Sequence, residues 1–316
     1  MSSNPFQPWS QGDILAGATL LNDAHDDHAG RGRILHFDSA LVPKGEIWLP
    51  RTTHLVTGLK FAPDGVLWAF DTHAHLVLNI HRDGRILVRE EFPSRAFSNV
   101  NFLRDGSILL GEHVTGSEIS PRVKARMKTT IPHVPGTQRF GEGHVYRFSA
   151  AGKLLEEYPT ETHGGMAGFL GVTMSAVTAS GHILVYCSET GPRLMRYDLE
   201  RRSQLPDLQS FAPPYPPGPP PMFFGMAFGR DGTLFVLRGA ALHTIDLATG
   251  ATLRQLPLPD FGWATLALTA HEQSAVIANF MTGEIALLDL DSGQLGARAQ
   301  TGAAKSLAGV AAVVSG

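Results

Sequence analysis

The chain has 316 residues, enough for two average domains or one large all-β domain, and in either case enough to bury a sizeable core. A formal net charge of −3 argues against nucleic acid or an anionic membrane surface as a partner, and a single cysteine, Cys187, excludes an internal disulfide framework and fits a reducing compartment. The opening MSSNPFQPWSQGD lacks the basic flank and apolar centre of a signal peptide, and no run approaches the roughly 20 apolar residues of a membrane span, so a cytoplasmic location is expected.

In chain order, GDILAGATLL, GRILHFD and GEIWLP read as three short strands near the N-terminus. After them a unit recurs. GLKFAPDGVLWAFD (58–71), NVNFLRDGSILLGEH (99–113) and GMAFGRDGTLFVLRG (225–239) each place an Asp-Gly turn between two apolar, β-rich runs. A second strand-turn-strand segment follows: LVLNIHRDGRILVRE, HVYRFSAAGKLLEEY, ALHTIDLATGATLRQL and EIALLDLDSGQLGARA. Four strands repeating every 40 to 45 residues or so is the period of a β-propeller blade. Blades are expected at about 53–94, 95–162, 163–219, 220–260 and 261–302, the second lengthened by an insertion at 117–143. SLAGVAAVVSG at the C-terminus supplies one strand and the N-terminal segment three, so the sixth blade is shared between the chain ends. The expectation is an all-β, six-bladed β-propeller forming a single domain over 1–316.

Six residues beyond the turn glycine, the second strand of a blade ends in Asp71, Glu112 or Arg238, and in the fifth blade in Asn279. Histidines gather at the same level, with His73 and His75 after Asp71, His113 after Glu112, and a further group in NDAHDDH (22–28). Entries to the first strands add His54, Ser98, Asn99, His163, Trp263 and Lys305. In a propeller these positions share one face, so a ligand site at the channel mouth is expected. Asp71, Glu112 and His113 are the candidate acid–base groups, and Arg238, Asn279, Asn99 and Trp263 the candidate substrate contacts. Imidazole with carboxylate suits a divalent transition ion such as Zn²⁺, whereas carboxylate, Asn and carbonyl suit Ca²⁺. The candidate ligands are His54, His73, Glu112, His113 and His163. The insertion carries Arg122, Lys124, Arg126, Lys128 and Arg139, and is expected to act as a lid that meets an anionic substrate, with Arg122 among the contacts.

The unit seen in GLKFAPDGVLWAFD resembles the six-bladed propellers of the SMP-30/gluconolactonase/strictosidine synthase-like group and, more loosely, NHL repeats and virginiamycin B lyase. That resemblance implies lactone or phosphoester hydrolysis around a channel-bound divalent ion held by a Glu, Asn residues and an Asp. Asn99 matches such a strand entry. Gly225 stands at the corresponding place in the fourth blade, and the closing strand begins KSLAG without the expected Glu, so the group's ligand set does not carry over. The histidine-rich mouth is more similar to that of lyases of the virginiamycin B type. The function expected is a metal-dependent hydrolase or lyase of a small lactone or ester-type substrate, the alternative being a non-catalytic propeller that binds a peptide or protein.

Overall fold

Six sheets follow one another in the computed structural model, which describes residues 6–115, 141–162, 169–188, 191–215 and 217–314. The first sheet joins β1 (Ile14–Asp23), β2 (Asp26–Phe37) and β3 (Pro43–Trp48) to the last strand of the chain, β25 (Leu307–Ala312), in the order β25-β1-β2-β3. Next come β4 (Thr57–Phe61), β5 (Leu67–Asp71), β6 (Leu76–Ile80) and β7 (Ile86–Val88), then β8 (Phe97–Phe102), β9 (Ile108–Thr115), β10 (Val145–Phe148) and β11 (Leu154–Tyr158). A short additional strand, β12 (Phe169–Gly171), pairs with the end of β9. The fourth sheet holds β13 (Met174–Val177), β14 (Ile183–Cys187), β15 (Arg193–Asp198) and β16 (Ser203–Ser210). The fifth holds β17 (Phe223–Phe228), β18 (Leu234–Arg238), β19 (Ala241–Ile245) and β20 (Thr252–Pro257). The sixth holds β21 (Trp263–Leu268), β22 (Ser274–Asn279), β23 (Glu284–Asp289) and β24 (Leu295–Gln300). Every regular element among the described residues is a strand, the pairings are antiparallel, and the architecture is the six-bladed β-propeller. No helix of the described residues is long and apolar enough to cross a membrane.

The turns form for the reason the sequence suggests. Gly65 takes φ +80°, which a side chain would resist, and its N–H bonds back to Ala62 O at 2.9 Å. Asp64 accepts the Val66 N–H at 3.1 Å, and Asp105 and Asp231 repeat this bond to Ser107 and Thr233. Second strands are apolar up to their last residue where both faces are covered, as in the fully buried β5, while fourth strands such as β20 and β24 are largely exposed and carry polar residues.

The chain divides into two compact units. One, within Met1–Glu90 and Gly262–Gly316, contains the sheets of β1, β4 and β21; in it Leu15, Ile34, Leu67, Leu78 and Ala311 form one apolar layer and Ile14, Ala16, Val276, Ile285 and Val310 another. Its closing blade is sealed by β25, in register Ile14↔Ala312 to Gly17↔Gly309. The other unit, within Glu91–Phe261, contains the sheets of β8, β13 and β17, with layers built on Leu109, Val145, Tyr186 and Met195 and on Val185, Leu194, Phe223 and Val236.

Candidate functional site

In the first unit, Asp71 ends β5 wholly buried. Its Oδ2 accepts the N–H groups of Thr53 at 2.6 Å and His54 at 2.9 Å, and its Oδ1 those of His73 and Ala74 at 3.0 Å each. One carboxylate thus ties the loop entering β4 to the loop leaving β5. Burial pushes the Asp71 pKa up, and the four donors pull against it. With its acceptor positions committed to backbone, Asp71 clamps the two loops together.

Each clamped loop carries an imidazole. His54 and His73, both buried, stack with ring centroids 3.5 Å apart and planes 9° from parallel. Two positive rings at that separation would repel by about 5 kcal/mol at an effective dielectric of 20, which opposes both rings being charged at once. The next histidine, His75, holds φ +51° in the same loop, and burial lowers its pKa.

Elsewhere in this unit, Asn279 ends β22 fully buried, and its Oδ1 accepts the N–H groups of Met281 at 2.9 Å and Thr282 at 3.2 Å. Its register partner Trp263 is wholly buried, and the indole N–H meets no acceptor among the described residues. Asn279 therefore organises its own loop. Lys60, absent from the expected site, lies on β4 and reaches solvent although surrounding protein lowers its pKa to about 8. A charged residue within an otherwise apolar first strand was the available signal for it.

In the second unit, Glu112 lies fully buried within β9, which runs on past it to Thr115 rather than ending there. Arg95 Nη1 donates to both its oxygens at 3.1 and 3.2 Å, and Oε2 also accepts the N–H groups of Glu142 at 2.9 Å and Gly143 at 3.0 Å and the Tyr146 hydroxyl at 3.2 Å. Gly141, at φ +143°, lies so close that a Cβ there would sit 2.4 Å from Oε1. Glu112 is the same kind of clamp as Asp71, here holding the returning end of the insertion. His113 is buried, with Nδ1 3.2 Å from Thr173 Oγ1. Asn99 donates to Val172 O at 2.7 Å and Thr173 O at 3.1 Å and accepts from the Ser175 hydroxyl, so it fastens β8 to the strand beside it. Arg238 ends β18 beside Gln209 and His243.

Of the residues expected to hold a metal, His54 and His73 are not placed to hold one ion together. Parallel rings 3.5 Å apart direct their in-plane lone pairs side by side, and neither pair can point at one ion about 2.0–2.1 Å from both nitrogens. Among the described residues no three of His, Cys, Asp and Glu converge as a ligand group. His163, Arg122 and residues 116–140 of the insertion lie outside the described residues.

No protein-family model matches the chain, and no curated protein matches it. Solved structures share its fold. Virginiamycin B lyase from Staphylococcus aureus superposes with TM-score 0.54 at 13% identity, over 94% of this chain and 92% of that one. A chain of a nidogen/laminin complex gives 0.60 at 11% identity, over 96% and 100%. A protein of unknown function from Bacteroides caccae gives 0.61 at 12% identity, over 95% and 98%. At such identities the likeness establishes the propeller, with lyases among its neighbours, and leaves the resemblance to the gluconolactonase group at the level of the blade motif.

Proposed function

We propose that the protein is a propeller hydrolase or lyase acting on a small lactone or ester-type substrate, with His54 and His73 as its proton-handling pair. The observation that carries this reading is the clamp: a buried carboxylate spends its full acceptor capacity holding two loops so that their imidazoles meet face to face. Preorganisation of that kind is what acid–base chemistry requires. In hydrolysis one imidazole takes a proton from water as the water oxygen adds to the carbonyl carbon; in elimination it takes the proton from the carbon adjacent to the one that bears the leaving oxygen, and a C=C bond forms between the two carbons. The protonated ring then returns it to the departing oxygen as the C–O bond breaks. No step is routed through a metal, because the stacked rings do not fit one.

The test is a panel of lactones and small esters offered to the full-length protein, to His54→Ala and to His73→Ala, with melting temperatures measured alongside. A class of substrate turned over by the wild type and slowed at least about 100-fold in both folded variants supports the assignment. Turnover that survives both substitutions removes the pair from the chemistry. An inert wild type across the panel overturns the enzyme reading in favour of a propeller that binds a peptide or protein.

A further inference from the structure

Three of the four equivalent strand positions share a task that the fourth cannot perform. Asp71, Glu112 and Asn279 each present a side-chain oxygen to backbone N–H groups of the adjoining loop. Arg238 has no acceptor to offer. In its blade only Gly239, at φ +61°, and Ala240 stand between β18 and β19, so there is no longer loop for a side chain to hold. The arginine is thus released from loop-holding, yet it is held with care.

Its Nη1 donates to Gln209 Oε1, and that amide is oriented by its own NH₂ group, which donates to Gly250 O at 2.8 Å and Thr252 Oγ1 at 3.1 Å. Its Nη2 lies 3.2 Å from His243 Nδ1. A guanidinium only donates, so Nδ1 is the acceptor and the ring proton sits on Nε2. Phe211 lies against the guanidinium at 5.1 Å and Phe223 at 6.0 Å, leaving the planar rim for partners. Burial, together with the Arg238 charge, lowers the His243 pKa to about 4, so the imidazole is neutral near pH 7. Among the described residues this half-buried, permanently charged group therefore has only uncharged partners, and burial lowers its own pKa. Charges withdrawn from water are ordinarily paired, and this one is set up to be paired by something else.

The structure assigns Arg238 as the anchor of an anion subsite that takes the carboxylate of a ligand, oriented by Gln209 and His243 and walled by Phe211. The free rim of a guanidinium matches a planar carboxylate in two parallel N–H···O bonds. None of its partners is a second cation, which favours a monoanion over phosphate. The aromatic wall favours a carboxylate attached to an apolar body. This subsite does not depend on the hydrolase or lyase reading.

The experiment is calorimetric titration of the full-length protein with sodium benzoate, with benzamide as its uncharged counterpart, and with inorganic phosphate. Benzoate should bind the wild type at least about tenfold more tightly than benzamide, the expected scale for a charge-assisted pair. Arg238→Met should erase that preference, Arg238→Lys should keep part of it, and Asp64→Asn, which touches only an exposed turn, should bind benzoate as the wild type does. Equal binding of benzoate and benzamide by the wild type overturns the subsite without reference to any variant. So does a folded Arg238→Met protein that retains the preference. Phosphate bound more tightly than benzoate overturns the carboxylate assignment.

Discussion

Replacing Asp71 by asparagine tests whether one carboxylate organises the histidine pair. The wild-type oxygens accept four backbone N–H bonds at 2.6 to 3.0 Å inside a fully buried site. Asparagine keeps one oxygen and turns the other into an NH₂ group that faces two N–H donors. Each buried donor left without an acceptor costs about 1–3 kcal/mol, so the gross loss is about 2–6 kcal/mol. Relief from burying a charge, the effect that raises the Asp71 pKa, offsets part of it, leaving about 3 kcal/mol. For a chain of this length that lowers the melting temperature by about 4–5 °C. The assay is thermal melting with residue-resolved amide exchange, beside Asp64→Asn, which loses a single exposed turn bond. Either the Thr53 and His54 amides or the His73 and Ala74 amides should exchange faster, according to which way the new amide faces. A melting temperature within about 1 °C of wild type, or unchanged exchange at both pairs, would refute the clamp.

Deleting 306–316 removes β25, whose six residues are all buried, and bares β1 from Ile14 to Ala18; the truncated protein should lose its cooperative melt, and one that unfolds like the full-length chain would contradict the shared blade. Stability should also fall on acidification through His243. Its pKa in the folded protein is about 4, below the ordinary 6.5, so between those values the unfolded chain binds the extra proton, and stability fully present above pH 6.5 is lost as pH falls toward 4. The loss is at most about 3 kcal/mol, and His243→Gln should remove it from the difference between urea midpoints at pH 7 and pH 4.5. Identical pH dependence in the two proteins would show that His243 takes up its proton equally in both states.

Much of the architecture was legible in the amino-acid order because it rests on local physics. An Asp-Gly pair between two apolar runs makes a hairpin wherever it occurs, and Asp64-Gly65, Asp105-Gly106 and Asp231-Gly232 do so at the spacing of a blade. The fragmentary strands at the two ends already implied that they belong to one sheet, since neither is complete alone, and β25 pairs with β1. What Asp71, Glu112 and Arg238 do was not legible, although their equivalence was. Residue type states how many bonds a group can make, whereas which bonds it makes depends on the loops that fold back onto it. Asp71 and Glu112 look like general bases in a line of letters, and only the backbone N–H groups arriving from 53–54, 73–74 and 142–143 turn them into clamps. The contact between His54 and His73, and the uncharged partners Gln209 and His243 that surround Arg238, are likewise properties of neighbours in space, which tertiary structure alone decides.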